Sequence, residues 1–263
     1  MPFTLSHAAA VIPFRRTPLV PSALVMGCFA PDFSYLLSLS RRVPFSHTLA
    51  GMFLLDFPLA MVALWLFHTF MKQRMLMFVP NGFRQRIKAS ATGFSFWPAK
   101  HLALIVASIL VGAATHLVWD AFTHNTSWLY QNWSFLRRPV ELPHIGEMQM
   151  YKLLEYGSSA FGLVVVAIWI WYWYATSEPP AQAAVQALDG TQGSFMVILP
   201  AVAILGGVLR AYYAEGIHPE IRPLMHFTAD MLISAITFLL LGLLVCGIIE
   251  RLLHRSHIFD GRP

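Results

Sequence analysis

The chain has 263 residues, of which 57% are hydrophobic and only 12% are charged. Soluble globular domains carry about 25% charged residues, so this composition excludes an ordinary soluble protein and indicates an integral membrane protein. The formal net charge is +5, but the basic residues form no long run, which argues against a nucleic-acid partner. Membrane lipids, particularly anionic ones, are the expected partners.

Five segments have the roughly 20 apolar residues that a helix needs to cross about 30 Å of hydrocarbon. In chain order they are residues 49–70, 101–122, 153–175, 194–214 and 226–249. A further segment, 19–39, contains Pro21, Pro31 and Asp32. A broken or re-entrant helix is therefore as compatible with its sequence as a full crossing.

The predicted fold class is all-α: a polytopic transmembrane helical bundle with five good spans plus one broken or re-entrant N-terminal segment. We expect a single transmembrane domain over residues 1–263, with a basic loop at 71–100 and an aromatic loop at 123–152. The aromatic loop carries Trp128 and Trp133, which suit the headgroup level of a bilayer.

Polar side chains within the predicted spans lie near one face of the membrane. Successive spans run antiparallel, so the start of one span lies beside the end of the next. The residues at these positions are Asp56, His116, Asp120, Glu155, Arg210 and Asp230. Charges are costly in hydrocarbon, so each is a candidate functional residue. Lys and Arg slightly favour the opposite face, which predicts that the polar face points away from the cytoplasm.

The most specific pattern is His116, Asp120 and His124, which are spaced four residues apart and so share one stripe of a helix. Imidazole and carboxylate groups one helical turn apart form a bidentate ligand pair for a divalent ion, and zinc is the expected cofactor. Because two or three ligands do not complete a metal site, further ligands must come from other segments.

Two further ligands are predicted on the same membrane side. His47 stands in the sequence Ser-His-Thr just before the first span, and Asp32 follows a proline in the segment 19–39. His7 lies in a predicted interfacial helix and joins the group only if the segment 19–39 re-enters the membrane instead of crossing it.

These motifs resemble an uncharacterised family of bacterial integral membrane proteins that is defined by a domain of unknown function and opens with MPFTxSH. That family is similar to inner-membrane metal-dependent hydrolases, which share a Gly-x-x-x-Pro-Asp turn, a Ser-His-Thr or Thr-His-Ser step and a later histidine and aspartate pair. The motifs that carry the resemblance are Met1–His7, Gly27–Asp32, Ser46–Thr48 and His116-x-x-x-Asp120, within about residues 1–125.

The resemblance implies a divalent metal site, hydrolase activity and a location in the bacterial cytoplasmic (inner) membrane. The residues that it implies as ligands are His7, Asp32, His47, His116 and Asp120. Phe33 and Ser34 stand where a further acid often follows the Pro-Asp pair, which favours one metal ion over two.

The resulting hypothesis is a metal-dependent hydrolase acting at the membrane interface on a lipid or lipid-linked phosphoester. Guanidinium groups bind phosphate and carboxylate bidentately. Candidate pairs for such a headgroup are Arg15 with Arg16, Arg41 with Arg42, and Arg137 with Arg138, the last within the aromatic loop. Glu155 is predicted to act as a general base or to orient a ligand.

Two alternatives remain open from the sequence. The protein is a proton- or metal-ion-coupled transporter if Asp56, Arg210 and Asp230 form a relay across the membrane. It is a structural or assembly protein without catalysis if Arg210 simply pairs with Asp230 or Asp56.

Overall fold

A computed structural model describes residues 3–39, 45–90, 93–143, 146–178, 190–215 and 221–259. The predicted helical fold is confirmed, with a single small hairpin among the described residues. The longer helices are α1 (Pro21–Ser38), α5 (Asn81–Ser90), α6 (Ala99–Thr123), α9 (Met150–Thr176), α10 (Gly190–Glu215) and α11 (Ile221–Phe259). The hairpin pairs β1 (Pro139–Leu142) with β2 (Gly146–Gln149) in antiparallel register.

Five helical segments are long and apolar enough to cross a membrane, as predicted. They are Leu49–Phe78, Ala99–Asn132, Met150–Thr176, Gly193–Ala214 and His226–Leu253. Large apolar side chains on them are exposed, including Val164 at 55%, Ile168 at 63% and Trp171 at 68%. An exposed surface of this kind is suited to lipid instead of water, and with the five long segments it indicates an integral membrane protein.

The N-terminal region differs in detail from the sequence prediction. Thr4–Arg16 forms a 3-10 helix, in agreement with a short helix before the first span. The doubtful segment is one helix, α1, which contains Pro31 and continues through it to Ser38. Helix α1 is shorter and more polar than the five apolar segments, and it is not one of them.

The first apolar segment, Leu49–Phe78, is a continuous run of short helices. It begins with α2 (Leu49–Gly51), and α3 (Phe57–Leu66) and α4 (Lys72–Met75) follow, separated by π-helical turns at Met52–Asp56 and Phe67–Met71. π-helical turns often occur at functional sites. The basic stretch predicted as a loop at 71–100 is therefore helical over much of its described length, because it contains α4 and α5.

The aromatic stretch at 123–152 also has local structure. It contains the short helices α7 (Trp128–Asn132) and α8 (Ser134–Arg137) and the hairpin. Ser127 caps α7 by accepting a hydrogen bond from the backbone N–H of Tyr130 at 3.0 Å. These elements give the described part of the segment a defined conformation.

The chain forms two compact units, the first comprising Met1–Phe33, Pro44–Leu64 and Ser95–Thr176. In this unit the 3-10 helix packs against α6 and α9. Helices α1 and α6 cross closely. A side chain at Gly27 would overlap the backbone of Ile109, and a side chain at Gly112 would overlap the backbone of Leu24 and Cys28. Only glycine permits this approach.

The second unit comprises Ser34–Val43, Trp65–Phe94 and Ser177–Pro263. Its largest contact is between α10 and α11, where Gly207 lies against the backbone of Met231. Arg74 Nε and Glu250 Oε2 form an ion pair at 2.8 Å. The second unit therefore has its own helix packing and its own polar contacts.

Candidate metal site

Five predicted ligands meet inside the first unit. The 3-10 helix contributes one, α1 one, the segment before α2 one and α6 two, so four separate parts of the chain converge. The group, called the His/Asp cluster below, comprises His7, Asp32, His47, His116 and Asp120. Apart from the partly buried His47, each of these side chains is at most 6% exposed.

Asp120 lies at the centre of the cluster. Its Oδ2 is 3.2 Å from His116 Nε2 and 3.3 Å from His47 Nε2, and its Oδ1 is 3.5 Å from His7 Nε2. Asp32 Oδ1 lies 3.5 Å from His47 Nε2 and 3.7 Å from His116 Nε2. Three imidazole nitrogens therefore face two carboxylates.

These separations suit the ligands of one metal ion. With metal to ligand bonds of about 2.0–2.2 Å, two ligand atoms at tetrahedral positions lie roughly 3.3–3.6 Å apart. Two sets in the cluster have their ligand atoms within 4.8 Å of one another: His7, His116 and Asp120, and Asp32, His47 and His116. Because both sets share His116, they describe one ion position better than two.

Several of the facing atoms are buried without a hydrogen bond. Among the described residues this is so for His116 Nε2, Asp32 Oδ1 and both carboxylate oxygens of Asp120. Leaving buried polar atoms unsatisfied costs roughly 1–3 kcal/mol each, more for charged groups. A bound cation would satisfy all of them at once, so the donor set fits a divalent metal ion.

The orientation of His116 is set by a backbone carbonyl. His116 Nδ1 lies 2.7 Å from the carbonyl oxygen of Cys28, and a carbonyl can only accept, so Nδ1 must carry the hydrogen. In neutral imidazole the lone pair is then on Nε2, the atom that faces Asp120 and Asp32. Histidine ligands in metal sites are commonly held this way.

Asp32 and His47 are also held from behind. Thr4 Oγ1 donates to Asp32 Oδ2 at 2.5 Å, and Ser46 Oγ lies 3.0 Å from His47 Nδ1. Burial acts to raise the pKa of Asp32, but contacts with His47, His116 and the Thr4 hydroxyl outweigh it and lower the pKa below its usual range. Asp32 is therefore a carboxylate.

The pKa values of His7 and His47, the two cluster histidines outside the spans, are shifted in opposite directions. Burial, reinforced by the neighbouring His116, lowers the pKa of His7 to about 4, so His7 is neutral. At His47 burial also acts to lower the pKa, but contacts with Asp120 and Asp32 outweigh it and raise the pKa to about 9. Ligation through His47 Nε2 therefore requires loss of a proton.

His7 joins the cluster although its inclusion was conditional in the sequence prediction. Its ring stacks on that of His116 with centroids 4.0 Å apart. The Cys28 thiol donates to the backbone carbonyl of His7 at 3.1 Å, which ties the 3-10 helix to α1. His124 lies at the edge: its Nδ1 is 3.6 Å from Asp120 Oδ2 and 3.2 Å from the Asp120 backbone carbonyl.

The residues predicted to act in catalysis have other contacts. Glu155 is buried and its Oε2 accepts a hydrogen bond from Lys152 Nζ at 2.7 Å. Arg137 and Arg138 are both exposed, and Arg137 Nη1 donates to the backbone carbonyl of Tyr130 at 3.3 Å. Their catalytic roles stay predictions, and the pair Arg41 with Arg42 lies outside the described residues.

The residues of the proposed relay fall in different units. Asp56 is fully buried in the π-helical turn that packs on α6, and neither carboxylate oxygen has a hydrogen bond from the described residues. In the second unit Arg210 Nη2 donates to the backbone carbonyl of Leu39 at 3.0 Å, and Asp230 is buried. Of these three residues, Asp56 is therefore the one that belongs to the same unit as the His/Asp cluster.

Two groups that orient the cluster are not among the residues predicted from the sequence. Cys28 contacts His116 through its backbone carbonyl, and Thr4 contacts Asp32 through its hydroxyl. The available signal was their place in the motifs, Thr4 in Met1–His7 and Cys28 in Gly27–Asp32.

Comparison with known proteins identifies a family and no further relative. A family model described as a domain of unknown function, DUF4184, matches residues 1–248, well beyond the residues 1–125 on which the resemblance rested. No curated protein and no solved structure matches the chain. Because the family model covers nearly the whole chain, the protein belongs to the DUF4184 family.

Proposed function

We propose that the protein is a membrane-embedded hydrolase that depends on a divalent metal ion. The observation that carries this proposal is the convergence of three imidazoles and two carboxylates, with facing atoms 3.2–3.7 Å apart. Zinc is the first candidate, because mixed histidine and aspartate ligands are typical of its catalytic sites. A divalent ion in such a site supplies Lewis acidity and lowers the pKa of water towards neutrality.

The chain's own residues hold the site in place. His116 presents Nε2 to the cluster while its Nδ1 is held by the Cys28 carbonyl. Asp32 presents Oδ1 to the cluster while its Oδ2 accepts a hydrogen bond from the Thr4 hydroxyl. Asp120 contacts the three histidines of the cluster and keeps them at ligand spacing. This preorganisation reduces the reorganisation that binding and catalysis require.

The substrate class follows from where the cluster lies. Asp120 is near the end of α6, and the stretch that follows α6 exposes Trp128 at 72% and Trp133 at 46%, aromatic residues that favour the headgroup level. Arg138 is exposed in the same stretch and available to an anion. A lipid or lipid-linked phosphoester is therefore the proposed substrate.

The direct test uses purified protein in detergent with phosphatidylglycerol as substrate. We expect zinc-supported release of a water-soluble product, loss of release after chelator treatment and recovery when zinc is returned. His116→Ala should be inactive, while His101→Ala, on the same helix but outside the cluster, should keep activity. Hydrolysis that His116→Ala leaves unchanged would contradict the proposal.

The proposed location is the bacterial cytoplasmic membrane with the cluster facing away from the cytoplasm. The support is the slight excess of Lys and Arg on the opposite face. Reporter fusions at residues 85 and 130, before and after the core of the second apolar segment, should fall on opposite sides. A cytoplasmic reporter at 130 would reverse the proposed orientation.

A second candidate function is transport of a metal ion or proton. The observation that favours it is Asp56, whose carboxylate is fully buried in a predicted span without a hydrogen bond from the described residues. Proteoliposomes distinguish the two functions: zinc or proton flux that Asp56→Asn abolishes supports transport, whereas unchanged flux with retained hydrolysis supports the enzyme.

A further inference from the structure

An apolar groove lies on the lipid-facing side of the first unit. It has a volume of about 650 Å³ and is called the lateral groove below. Its apolar lining includes Ala10 of the 3-10 helix, Val111, Ala114, Val118 and Phe122 of α6, and Leu154 of α9. The residues from α6 recur at helical spacing, so the groove runs along one stripe of that helix.

The lateral groove adjoins the His/Asp cluster. Trp119 lines the groove and its ring centroid is 5.2 Å from that of His7. Trp119 Nε1 donates to Ser158 Oγ at 3.0 Å, which holds the indole in place beside both the groove and His7. Ala10 lies one 3-10 turn beyond His7, on the same side of that helix.

The groove suits an extended hydrocarbon chain. From Val111 to Thr123 it follows α6 for about 18 Å at 1.5 Å per residue. Its lining is apolar along that length, so a chain of methylene groups would be held there by apolar contact.

The length and polarity of the groove match a lipid of one leaflet. Half of a 30 Å hydrocarbon core is about 15 Å, close to the length of the groove. The groove is apolar along its course and reaches polar groups at the cluster end, where Thr123 Oγ1 lies 3.4 Å from His124 Nδ1. A lipid there has its headgroup end at the cluster and its chain along α6.

We propose that the lateral groove binds an acyl chain of the lipid substrate and so places the headgroup at the His/Asp cluster. This inference rests on the proposed function, because it assigns the substrate of that same site. It also gives the groove a role in specificity. Apolar contact holds the acyl chain, and the distance from the groove to the cluster then determines which bond of the lipid is hydrolysed.

The test uses the protein in nanodiscs of phosphatidylglycerol that contain a trace of the same lipid with a diazirine in one acyl chain. After illumination, the adducts are mapped by mass spectrometry. We expect several-fold more adducts on the groove residues of α6 and α9 than on the exposed apolar face around Ile168. Equal labelling of both faces would overturn the proposal.

Matched tryptophan substitutions sharpen the result. Ala114→Trp fills the groove, whereas Ala103→Trp adds the same side chain at an exposed position of α6 outside the groove. Groove labelling should fall several-fold in Ala114→Trp and persist in Ala103→Trp, with Val118→Trp as a second groove variant. An equal loss in Ala103→Trp, or protein–protein cross-links that replace the lipid adducts, would overturn the proposal.

Zinc content measured on the same samples separates this inference from the proposed function. Protein that binds zinc but shows no enriched groove labelling overturns the acyl-chain site and leaves the metal site standing. Protein that shows the labelling but binds no zinc overturns the metal-dependent function and, with it, the assignment of the groove lipid as substrate.

Discussion

His116 Nδ1 lies 2.7 Å from the backbone carbonyl of Cys28, and the thiol of Cys28 donates to the backbone carbonyl of His7 at 3.1 Å. One residue of α1 therefore positions two histidines on two other segments. Because a backbone carbonyl fixes which nitrogen of His116 carries the hydrogen, the packing of α1 on α6 determines the chemical form in which His116 faces the cluster.

The Thr4 hydroxyl should strengthen metal binding through Asp32. It donates to Asp32 Oδ2 at 2.5 Å and so orients the carboxylate towards the histidines. We expect Thr4→Val, which keeps the shape and removes the donor, to lower zinc affinity by about tenfold or more. Chelator competition measures the affinity. Thr4→Ser restores the donor and should recover most of the loss; equal affinities in all three proteins would refute this role.

The close crossing of α1 and α6 should be sensitive to a single methyl group. In Gly112→Ala the new methyl would overlap the backbone of Leu24 and Cys28. We expect a destabilisation of about 1–3 kcal/mol, measured as a lower thermal midpoint in detergent. Zinc affinity should fall as well, because the Cys28 carbonyl that orients His116 shifts.

Gly157→Ala is the matched control for this substitution. Gly157 also lies in a long helix, α9, but a methyl group there meets nothing within 4 Å. Alanine is the better helix former by about 1 kcal/mol, so the thermal midpoint should stay the same or rise. If both alanine variants lower the midpoint equally, the crossing is not the cause.

The two neighbouring arginines of the aromatic stretch should differ in function. Both side chains are exposed, but Arg137 Nη1 donates to the carbonyls of Tyr130 and Gln131, which leaves Arg138 as the candidate to bind an anionic headgroup. Arg138→Ala should therefore raise KM for phosphatidylglycerol with little change in kcat or thermal midpoint. Arg137→Ala should mainly lower the thermal midpoint. A KM unaffected by Arg138→Ala would remove Arg138 from substrate binding.

Much of the fold and the grouping of the cluster could be predicted from the sequence. Apolar length alone located the five segments that can cross a membrane. The four-residue spacing of His116 and Asp120 placed both on one helix face, and antiparallel spans brought Asp32 and His47 to the same side. These inferences depend on helical periodicity and on segment length, which the order of residues records directly.

Other features depended on contacts that no local pattern records. Pro31 predicted a break, but α1 continues through it. The hairpin at Pro139–Gln149 is too short for its alternation to stand out. The role of the Cys28 carbonyl could not be predicted either, because every residue has a carbonyl and only tertiary packing selects one.

Metal binding by the His/Asp cluster is the property on which the proposed hydrolase activity depends. Elemental analysis of protein purified without chelator measures it, with His116→Ala and Asp120→Ala as test variants and His101→Ala as the control. We predict about one zinc ion per chain in the wild type and in His101→Ala, and its loss in both cluster variants while they remain folded. Metal-free wild-type protein that also fails to bind added zinc would contradict the account.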